Sequence, residues 1–479
     1  MIRPVSDFKK SVAELSRFLG IESSSELDFT GITSDSRAVE AGDLFVALPG
    51  SSAHGASFID DVVKRGAVAV LTDSIGADLI GSKPPVLIVA NPVRELGEIC
   101  SWFYGRPSNT TTVILNQILK YAGKITGLVG TIGIEIGPEK VDATHTTPEA
   151  SELQSLLATM QERHISHVAM EVSSHALEAM RVSGTKYKVV GFTNLTQDHL
   201  DFHGDMDSYF AAKSKLFTPE FSELGFINID DVYGQKLLAA TQIPVITLAR
   251  ENSSAQWHYE RVEATSKGYE IAIRGTGGVL IEGRVNFIGD HNLDNLLMAV
   301  AIAFEFEIDP LVIANSLSHL VGAAGRLESV DLGQKFLALV DYAHTPDAVT
   351  RTLETLRKSC SGRIIGVLGC GGDRDKAKRP IMGSELLAGT DLAIFTSDNP
   401  RSELPTKILD EMVAGLELNE STAVIENRRE AIALAVASAL PGDCVVVMGK
   451  GHETGQEIAG KKFPFDDRIE LARAIEELS

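Results

Sequence analysis

Four short apolar segments in the last third of the chain alternate with segments of helical periodicity, and this alternation constrains the fold most strongly. The apolar segments span residues 336–341, 363–370, 391–397 and 443–449. Apolar runs of this length are typical of strands that are buried on both faces of a sheet. Strands that alternate with helices run parallel, because each helix carries the chain back across the sheet. The pattern therefore predicts an α/β fold with parallel sheets covered by helices on both faces.

The alternation continues towards the N-terminus, so the fold class is predicted to be α/β throughout. Further strands are expected at residues 44–48, 68–72, 86–89, 167–171, 189–194 and 226–229. A helix is expected to open at Thr147-Pro148, because Thr is a favourable N-cap and Pro suits the first helical turn. The 479 residues exceed what one hydrophobic core normally organises. With the turn-forming residues 104–109 as a linker, domains are expected at residues 1–104, 105–327 and 328–479.

The charge balance and the cysteine spacing narrow the class of protein. Asp plus Glu number 65 against 44 Lys plus Arg, which gives a formal net charge of −21. So acidic a chain is a poor candidate for binding nucleic acids or anionic membranes. Cys100, Cys360, Cys370 and Cys444 show no CxxC spacing, and the N-terminus lacks the apolar core of a signal peptide. We therefore expect a cytoplasmic protein with buried, reduced thiols and without membrane insertion.

Polar clusters follow the four strands of the last third at the point where each strand ends. They are Asp341-Tyr-Ala-His344, Gly371-Gly-Asp-Arg-Asp-Lys376, Ser397-Asp-Asn-Pro-Arg401 and Gly449-Lys-Gly-His-Glu453. Ligands bind beyond the carboxyl ends of strands in open α/β sheets, so the clusters are expected to form a pocket with charges of both signs. One cluster alone is equally well explained as a solvated turn, whereas four together favour a binding site. A substrate with both an amine and a carboxylate would suit Asp and Arg side chains.

A second group of polar residues lies in the middle of the chain. Glu171 ends one apolar strand, and His199 follows the next strand. A carboxylate and an imidazole at adjacent strand ends suit a divalent metal held against phosphate oxygens. The alternative is two helix-capping turns with a satisfied histidine, and the residues alone leave both interpretations open. Lys213 has amphipathic helical surroundings and would ordinarily be interpreted as a surface lysine.

Together with further motifs, these residues resemble the Mur ligase family, in particular its members that add the third peptide residue of peptidoglycan. The likeness extends over nearly the whole chain, and ten motifs in family order make it highly specific. Beyond the clusters already named, it rests on Thr33-Ser-Asp-Ser-Arg37 with Gly42-Asp-Leu-Phe45, Thr146-Thr-Pro148, Glu171-Val-Ser-Ser-His175, residues 194–204, Gly289-Asp-His-Asn-Leu-Asp-Asn295 and Gly325-Arg-Leu-Glu328.

The resemblance implies an N-terminal α/β domain that binds uridine diphosphate, a central parallel-sheet ATPase domain of the phosphate-loop type, and a C-terminal Rossmann-like domain that binds the added amino acid. The implied substrates are ATP, UDP-N-acetylmuramoyl-L-alanyl-D-glutamate and meso-diaminopimelate, with Mg²⁺ as the cofactor. The Asp-Asn-Pro-Arg sequence is similar to that of relatives that choose meso-diaminopimelate, in which the Arg (here Arg401) answers the second carboxylate. A monomer without a nucleic-acid partner is expected.

The resemblance also implies roles for individual residues, carried over motif by motif. Contacts to the UDP-muramoyl-dipeptide are implied for Ser34, Ser36, Ser51, Ser52, Ala53, His145, Thr146, Thr147, Ser173 and Arg181. Nucleotide contacts are implied for Thr110, Asn295, Arg326 and Asp341. The pocket for the added amino acid is implied at Arg374, Asp398, Asn399, Pro400, Arg401, Gly449 and Glu453. Catalytic and Mg²⁺-binding roles are implied for Glu171, His199 and Lys213, the last matching a lysine that the family carbamylates to a carboxylate-like group.

The chain departs from the family where a phosphate-binding loop is expected. The central domain of the family opens with a strand and a Gly-rich loop ending in Gly-Lys-Thr, whose backbone amides and Lys hold the phosphates. Here residues 104–109 run directly into Thr110-Thr-Thr-Val113, and no GxxxxGK[ST] occurs in the sequence. A strand and such a loop amount to ~15 residues, so the difference is a clean excision. The apolar spacing after Thr110 still predicts the helix that follows the loop.

The leading hypothesis is an ATP-dependent ligase that forms an amide through an acyl phosphate, and three alternatives stay open. The first is a pseudoenzyme that binds the UDP-muramoyl-peptide without turnover, because the loop is missing. The second is a folylpolyglutamate-type ligase, which would leave Thr33-Ser-Asp-Ser-Arg37 and Asp398-Asn-Pro-Arg401 unexplained. The third is that the natural protein contains a segment after residue 109 that this sequence lacks.

Overall fold

The computed structural model describes residues 3–4, 8–21, 25, 27–50, 53–81, 84–103, 113–131, 133–141, 145–195, 200–265, 268–322, 325 and 327–478. It forms two compact units, Met1–His258 with Met298–Ile313 (unit 1) and Tyr259–Leu297 with Ala314–Ser479 (unit 2). The predicted α/β class is confirmed, because parallel strands connected by helices organise both units. None of the helices in these ranges combines the length and the apolar character needed to cross a bilayer.

A parallel sheet organises the first hundred residues of unit 1. The elements there are β1 (Lys10–Ser11), α1 (Val12–Leu19), β2 (Asp28–Phe29), β3 (Gly31–Thr33), β4 (Asp43–Val46), a 3-10 helix (Gly55–Phe58), α2 (Ile59–Lys64), β5 (Ala69–Thr72), α3 (Ser74–Ile80), β6 (Val86–Ile88) and α4 (Pro92–Phe103). Strands β3 to β6 pair in chain order, all in parallel, and confirm the three predicted strands. Helix α1 starts at a capping box, because Ser11 Oγ accepts from Glu14 N at 3.1 Å while Glu14 Oε2 accepts from Ser11 N at 2.8 Å.

The middle of unit 1 contains two separate sheets. Its elements are α5 (Val113–Tyr121), β7 (Thr126–Gly130), β8 (Gly133–Ile136), β9 (Glu139–Val141), α6 (Ala150–Glu162), β10 (His167–Met170), α7 (Ser174–Glu178), β11 (Tyr187–Phe192), α8 (Leu200–His203), α9 (Met206–Ser214), a 3-10 helix (Lys215–Phe217), β12 (Ser222–Asn228), α10 (Val232–Ala240), β13 (Val245–Ala249) and β14 (Trp257–Thr265). One sheet has the order β10-β7-β8-β9, and the other begins with β11, β12, β13 and β14 in parallel. Helix α5 confirms the helix predicted after Thr110.

Each of these two sheets ends in a strand that is paired on one side. Strand β10 is the edge of the first sheet, and β11 is the edge of the second. One core nevertheless contacts both, since Val168 and Met170 of β10 belong to the same cluster as Val190 and Phe192 of β11. No second partner strand for either edge occurs within the described ranges. This is the arrangement expected when one strand between them is missing, and the sequence lacks a strand before Thr110.

One local prediction for this region is wrong. Helix α6 begins at Ala150, after the N-cap Glu149, and not at Thr147. The Thr147 hydroxyl instead donates to Glu171 O at 2.8 Å and accepts from Ser173 N at 3.1 Å. The Thr147 side chain therefore binds residues that are distant in sequence and does not cap helix α6. Strands β8 and β9 form an antiparallel meander on β7 that was not predicted.

A largely parallel sheet organises unit 2. Its elements are β15 (Gly268–Arg274), a 3-10 helix (Thr276–Gly278), β16 (Leu280–Val285), α11 (Asp290–Glu305), α12 (Pro310–Ser316), a 3-10 helix (Leu317–His319), β17 (Glu328–Ser329), β18 (Leu337–Asp341), α13 (Pro346–Ser359), β19 (Ile364–Cys370), α14 (Lys378–Gly389), β20 (Leu392–Ser397), α15 (Pro405–Met412), β21 (Thr422–Ile425), α16 (Arg428–Ser438), β22 (Cys444–Met448), β23 (Gly455–Ile458), β24 (Lys461–Pro464) and α17 (Asp467–Glu476). Strand β14 and helices α11 and α12 each belong partly to both units.

The sheet order in unit 2 is β17-β18-β22-β19-β20-β21, and every pair is parallel except β17 with β18. The four strands predicted for this region are confirmed to within one residue at each end. Two antiparallel hairpins, β15–β16 and β23–β24, were not predicted. The expectation of four buried thiols is wrong for Cys360, which is only half-buried after α13.

A buried ion pair fixes the carboxyl ends of two strands in this sheet. Arg428, the first residue of α16, donates to both carboxylate oxygens of Asp467, the first residue of α17, at 2.7 Å each. Its guanidinium also donates to Ser397 O at 3.3 Å and to Met448 O at 2.9 Å, at the ends of β20 and β22. Both charged side chains are fully buried. The Arg428 side chain thus connects the first residues of α16 and α17 to the ends of β20 and β22.

Replacing Arg428 with Met should destabilise the protein strongly, because Asp467 becomes a buried carboxylate without a counter-charge. We expect the free energy of unfolding, measured by urea titration, to fall by about 3–5 kcal/mol. The double variant R428M/D467L removes both charges and should recover most of the loss. The matched control is Arg351→Ala, which breaks an exposed pair with Asp347 and should cost less than about 0.5 kcal/mol. Equal losses in R428M and R351A would contradict this account.

Candidate functional site

The carboxyl ends of four strands in unit 2 lie side by side at one edge of the sheet. Asp341 at the end of β18 is in register with Met448 at the end of β22, and Met448 is in register with Leu368 of β19. Cys370 of β19 is in register with Ser397 of β20. The polar clusters that follow these strands therefore emerge at the same edge, as parallel pairing requires. This edge is the candidate site of unit 2.

A fully buried lysine lies at the centre of this edge. Lys450 Nζ is 3.3 Å from Asp398 Oδ1, 3.1 Å from Asn399 Oδ1 and 3.1 Å from Glu453 Oε2. Its side chain has no exposed surface. Asn399 Nδ2 donates in turn to Glu453 Oε2 at 2.8 Å. A buried ammonium is tolerated only when it is paired, so Lys450 ties together polar side chains from two different strand ends.

The two carboxyl groups beside Lys450 differ in their affinity for protons. Burial raises the pKa of Asp398, although the charges of Lys450 and Arg428 oppose the rise. Burial acts in the same direction on Glu453, but the Lys450 charge and the hydrogen bond from Asn399 outweigh it and hold the pKa of Glu453 below its ordinary value. Asp398 therefore gains most from a further cation, such as the ammonium group of a ligand.

Arg401 is held in a strained backbone conformation by the β23–β24 hairpin. Its φ of +50° is one that residues other than glycine seldom adopt. Arg401 N donates to Glu457 O at 3.0 Å, and Ala459 N donates to Arg401 O at 2.7 Å. The guanidinium donates to Gly372 O at 2.6 Å and lies 3.5 Å from Glu457 Oε2. A Cβ on Gly372 would collide with the Pro400 carbonyl, so glycine is needed where these two loops meet.

Two other residues predicted for the amino-acid pocket lie on the same loops. Gly449 has a φ of +114°, and a Cβ at this position would lie 3.7 Å from Asp398 Oδ2. Arg374 is exposed beside Asp373, whose carboxylate accepts from Ser402 Oγ at 2.6 Å. The structure therefore places Arg374 at the solvent side of an anchored loop, where a ligand can reach it.

Asp341, a predicted nucleotide contact, has both carboxylate oxygens bound by protein donors. Oδ2 accepts from Leu327 N at 2.7 Å, and Oδ1 accepts from Ala343 N at 2.8 Å and from Thr352 Oγ1 at 3.2 Å. Leu327 follows Arg326 directly in the chain. Asp341 thus fixes the backbone beside Arg326, which is a positioning role.

Three further residues are predicted nucleotide contacts. Asn295 is exposed on the first half of α11. Arg326 and Thr110 lie outside the described residues. Their roles stay predictions.

In unit 1, the carboxylate of Glu171 faces the end of β7. Glu171 Oε2 accepts from Thr131 N at 3.0 Å and from Thr131 Oγ1 at 2.6 Å. Thr131 Oγ1 is also 3.1 Å from Thr146 Oγ1. The Thr147 hydroxyl donates to the Glu171 carbonyl at 2.8 Å. The structure thus brings three predicted residues together at the ends of β7 and β10.

Other residues predicted to hold the muramoyl-dipeptide surround Glu171. Arg181 donates to Thr147 O at 3.2 Å and forms an ion pair with Glu149 at 2.8 Å. Ser173 is the N-cap of α7. His145 is exposed at the start of the segment that precedes α6.

Lys213 is connected to this region through aromatic rings. Its Nζ lies 5.3 Å from the centroid of the Tyr209 ring, a cation–π contact. Tyr209 stacks on His203 with ring centroids 4.9 Å apart, and His203 Nε2 is 2.9 Å from Ser174 Oγ. Ser174 lies three positions after Glu171. Lys213 is half-buried, and these contacts link it to the start of helix α7, which follows Glu171 in the chain.

Glu171 offers a single carboxylate to a divalent cation. In the described part of the chain, no group of three or more His, Cys, Asp or Glu side chains is placed to hold a metal by itself. A single carboxylate suits an ion such as Mg²⁺, which takes one or two protein carboxylates and completes its shell with phosphate oxygens and water. His199, the second predicted ligand, lies outside the described residues. Lys213 as an ammonium would repel the ion, so carbamylation is required for it to act as a ligand.

The residues predicted to contact the UDP-sugar follow the first two strands of the N-terminal sheet. Ser34 and Ser36 come directly after β3 and are half-buried. Ala53 is exposed after β4. Because β3 and β4 are parallel, both segments lie at the same edge. Ser51 and Ser52 lie outside the described residues.

Three residues that shape the unit 2 site are absent from the predicted set. Lys450 lies in the motif Gly449-Lys-Gly-His-Glu453, but a lysine between two glycines gives no sequence signal that its side chain is buried. Gln456 Nε2 donates to Asp398 O at 2.6 Å, and Glu457 N donates to Asn399 Oδ1 at 2.9 Å. Both come from the β23–β24 hairpin, and the glycine in its two-residue turn, Ala459-Gly460, was the available signal.

Three domain families match successive segments of the chain. The family described as "Mur ligase family, catalytic domain" matches residues 28–101, "Mur ligase middle domain" matches residues 109–303, and "Mur ligase, glutamate ligase domain" matches residues 325–451. The middle-domain match starts at the position where the phosphate-binding loop is missing from the sequence.

Relatives match nearly the whole chain. It is 43% identical over 496 aligned residues to the UDP-N-acetylmuramoyl-L-alanyl-D-glutamate--2,6-diaminopimelate ligase of Streptomyces avermitilis, over 99% of this chain and 98% of that protein. The ligase of the same name from Streptomyces coelicolor is 43% identical over 495 residues, with the same coverage. A solved structure of a ligase of this name matches with a TM-score of 0.72 and 29% identity, over 97% of this chain and 98% of that one. Since the first alignment is longer than the 479 residues here, that relative has residues that this chain lacks.

Replacing Lys450 with Met should destabilise the protein in a pH-dependent way. Asp398 and Glu453 lose their shared cation, at a cost of about 2–4 kcal/mol at pH 7, below the value for a fully buried pair because Glu453 is one-third exposed. Lys450 lowers the pKa of Glu453, so its contribution is present above the unfolded pKa and is lost as the pH falls through the folded value. Removing Lys450 also raises the pKa of Asp398 further, which adds a penalty at neutral pH.

The measurement is the free energy of unfolding of wild type and Lys450→Met by urea titration at several pH values. The difference between the two proteins should shrink as the pH is lowered from 7 towards 4. The matched control is Lys461→Met on β24, where the exposed lysine should contribute less than about 0.5 kcal/mol at every pH. A pH-independent difference for Lys450→Met would mean that the lysine does not act through these carboxyl groups.

Proposed function

Because the chain belongs to the Mur ligase family, we propose that it joins meso-diaminopimelate to UDP-N-acetylmuramoyl-L-alanyl-D-glutamate in peptidoglycan synthesis at the expense of ATP. The observation that carries the proposal is the grouping of Asp398, Asn399 and Glu453 around the buried Lys450, with Arg401 on the same loop as Asp398 and Asn399. The grouping offers anions to an amine and a cation to a carboxylate, which matches an added amino acid. Action as a monomer in the cytoplasm, where ATP is available, is part of the proposal.

The reaction consists of two group transfers. The γ-phosphoryl group of ATP passes to the side-chain carboxylate of the D-glutamate residue, which gives an acyl phosphate and ADP. An amine of meso-diaminopimelate then attacks the acyl carbon, phosphate leaves, and the amine loses a proton. Mg²⁺ supplies charge neutralisation to the phosphoryl transfer, which is mainly an electrostatic and positioning task.

The added amino acid is assigned to the carboxyl edge of the unit 2 sheet. Asp398, whose pKa burial raises, accepts from the ammonium group and gains a counter-charge by doing so. Arg401 donates to Gly372 O and forms a half-exposed ion pair with Glu457 at 3.5 Å, so a ligand carboxylate can displace Glu457 at low cost. Asn399 and Glu453 orient the ligand through the network that Lys450 holds. Pro400, Gly449 and Arg374 complete the loops around it.

The UDP-muramoyl-dipeptide is assigned to unit 1. Its uridine diphosphate would lie at the edge formed after β3 and β4, against Ser34, Ser36 and residues 51–53. Its peptide would lie near Glu171, against His145, Thr146, Thr147, Ser173 and Arg181. Mg²⁺ would be held by Glu171 together with His199 and a carbamylated Lys213.

A second candidate function is binding of the UDP-muramoyl-peptide without turnover. It is favoured by the absence of GxxxxGK[ST] from the sequence and by the two sheet edges, β10 and β11, which contact one core. Without the loop, the β- and γ-phosphates of ATP lose their backbone cradle and the Lys charge. The two candidates are distinguished by adding the missing segment.

Inserting the strand and phosphate-binding loop of the Streptomyces avermitilis ligase between Asn109 and Thr110 should create or strongly increase ligase activity. Phosphate release with ATP, UDP-muramoyl-dipeptide and meso-diaminopimelate should rise at least 100-fold over the unmodified chain, because a lost electrostatic cradle costs several kcal/mol. The melting temperature should rise as well, since the added strand covers the edges of β10 and β11.

The control insertion has the same length but carries Ala in place of the loop Lys and its flanking glycines. We expect this control protein to have the raised melting temperature of the loop-restored protein but not its ligase activity. In both proteins and in the unmodified chain, UDP-muramoyl-dipeptide should raise the melting temperature by mass action. Robust turnover by the unmodified chain would remove the second candidate and show that the loop is dispensable.

Arg401→Ala, made in the loop-restored protein, should weaken the use of meso-diaminopimelate far more than that of lysine. The two amino acids differ by one carboxylate. We expect kcat/KM for meso-diaminopimelate to fall about 30- to 3,000-fold, because that carboxylate loses its cationic partner. Lysine should lose less than threefold. Arg401→Lys should restore only part of the activity, because an ammonium lacks the bidentate geometry of a guanidinium. An unchanged ratio of the two kcat/KM values would exclude Arg401 as the specificity residue.

A further inference from the structure

A second fully buried arginine lies beside the carboxyl edge of the unit 2 sheet. Arg379 is the second residue of α14, and its side chain has no exposed surface. Its guanidinium donates to the two carboxylate oxygens of Glu403 at 2.8 and 3.1 Å, and to Glu411 Oε2 at 2.5 Å. It also donates to Gly371 O, directly after β19, at 3.1 Å. The Arg379 side chain therefore connects α14 to α15 and to the loops that follow β19 and β20.

Glu403 binds the loop that follows β19 (the β19 loop, residues 371–377) at two further points. Glu403 Oε1 accepts from Asp373 N at 2.7 Å, and Oε2 lies 3.1 Å from Lys376 Nζ. Glu403 itself belongs to the loop that follows β20 (the β20 loop, residues 398–404). The hydrogen bonds from Arg379, Asp373 N and Lys376 hold the pKa of Glu403 well below its ordinary value. The carboxylate that joins the two loops is therefore ionised at neutral pH.

Each of the two loops contains a residue in a strained backbone conformation. Asp373 has a φ of +54° and Arg401 a φ of +50°, and neither is glycine. The Asp373 carboxylate accepts from Ser402 N at 3.1 Å and from Ser402 Oγ at 2.6 Å, whereas the Arg401 guanidinium donates to Gly372 O at 2.6 Å. Each strained residue thus binds the other loop. Because such conformations persist only where surrounding contacts enforce them, the two loops depend on each other.

The anionic and cationic sides of the candidate amino-acid pocket have different supports. Asp398 lies 3.3 Å from Lys450 Nζ, and its carbonyl accepts from Gln456 Nε2 of the β23–β24 hairpin at 2.6 Å. Arg374 lies on the β19 loop, and the same loop supports the Arg401 guanidinium. A disturbance of the β19 loop should therefore displace the cations of the pocket more than its carboxylates.

We propose that Arg379 and Glu403 form a positioning pair that holds the β19 loop against the β20 loop for recognition of the second carboxylate of the added amino acid. The proposal rests on the function proposed above. The pair acts through Gly372 O, which binds the Arg401 guanidinium, and through the backbone that carries Arg374. Both members act through other residues, so neither is a catalytic residue. Without the pair, the two cations no longer converge on one carboxylate.

The kinetic test compares Glu403→Gln with Glu411→Gln in the loop-restored protein. Both changes remove one of the two carboxylates that pair with Arg379, but Glu403 binds the β19 loop and Glu411 lies on α15. In Glu403→Gln, the amide NH2 group faces a donor, either Arg379 or Asp373 N, so the loop contact is lost. KM for meso-diaminopimelate should rise about 10- to 100-fold, because a shift of ~1 Å in a binding group has an effect of this size.

The other kinetic constants separate positioning from loss of folded protein. In Glu403→Gln, KM for ATP and for UDP-muramoyl-dipeptide should stay within about twofold, and kcat/KM for lysine should fall less than about threefold. In Glu411→Gln, KM for meso-diaminopimelate should also stay within about twofold. Arg379→Lys should raise KM for meso-diaminopimelate as Glu403→Gln does, because one ammonium group cannot bind Glu403 and Gly371 O in the fork geometry of a guanidinium.

A second measurement uses the unmodified chain without ligand. Hydrogen–deuterium exchange, followed by mass spectrometry, should be faster in Glu403→Gln than in wild type for peptides that cover the β19 and β20 loops, because Asp373 N loses its acceptor. Glu411→Gln should exchange like wild type in both peptides. Equal exchange in Glu403→Gln and wild type would show that the pair does not hold the loops.

The kinetic outcomes distinguish the pair from the function on which it rests. If the loops of Glu403→Gln exchange faster but KM for meso-diaminopimelate is unchanged, the pair does not position the ligand and the proposal is wrong. It is also wrong if only kcat falls, or if Glu411→Gln raises KM equally, since both results indicate an effect on folding. A loop-restored wild type that uses no amino acid would refute the proposed function and the positioning pair together.

Discussion

One buried cation, Arg428, sets the geometry on which the candidate amino-acid pocket depends. It binds the final carbonyls of β20 and β22 and forms a fully buried pair with Asp467. The residues that begin the next loops are Asp398 and Gly449, followed by Lys450. Because the strand ends are fixed, the 3.3 Å separation of Lys450 Nζ and Asp398 Oδ1 is established before any ligand arrives. Pre-organisation of this kind lowers the ordering cost of binding.

The parallel sheet of unit 2 was predictable because its strands are apolar on both faces and its helices are periodic. The parallel rule then placed Asp341, Gly371, Asp398 and Gly449 at one edge without knowledge of side-chain geometry. The burial of Lys450 was not predictable, since it depends on Asp398 and Asn399, which are distant from it in sequence. The role of Thr147 was missed for a related reason, because its hydroxyl donates to Glu171 O, which is distant in sequence, and does not cap a helix. Short antiparallel hairpins lack the long periodic signal of helices.

The missing phosphate-binding segment has a structural counterpart in the two sheet edges of unit 1. Open edge strands are normally covered or broken by charges, because unpaired amides and carbonyls are costly and promote aggregation. Strands β10 and β11 instead share one apolar core through Val168, Met170, Val190 and Phe192. Side-chain packing thus holds β10 and β11 in place although the backbone of each strand is paired on one side only. Packing within the core therefore constrains this region even without a strand that hydrogen-bonds to both edges.

The charge balance around Lys450 explains how an amino acid with two carboxylates would be recognised. Asp398 and Glu453 share the ammonium group of Lys450, so the ammonium group of a ligand would add a second cation beside these two carboxyl groups. Besides its hydrogen bond to Gly372 O, the Arg401 guanidinium pairs with Glu457, at 3.5 Å on a half-exposed side chain. A second ligand carboxylate can therefore replace Glu457 with little loss, whereas an ammonium at that place would meet a guanidinium. Selectivity then comes from repulsion of the wrong ligand as much as from attraction of the right one.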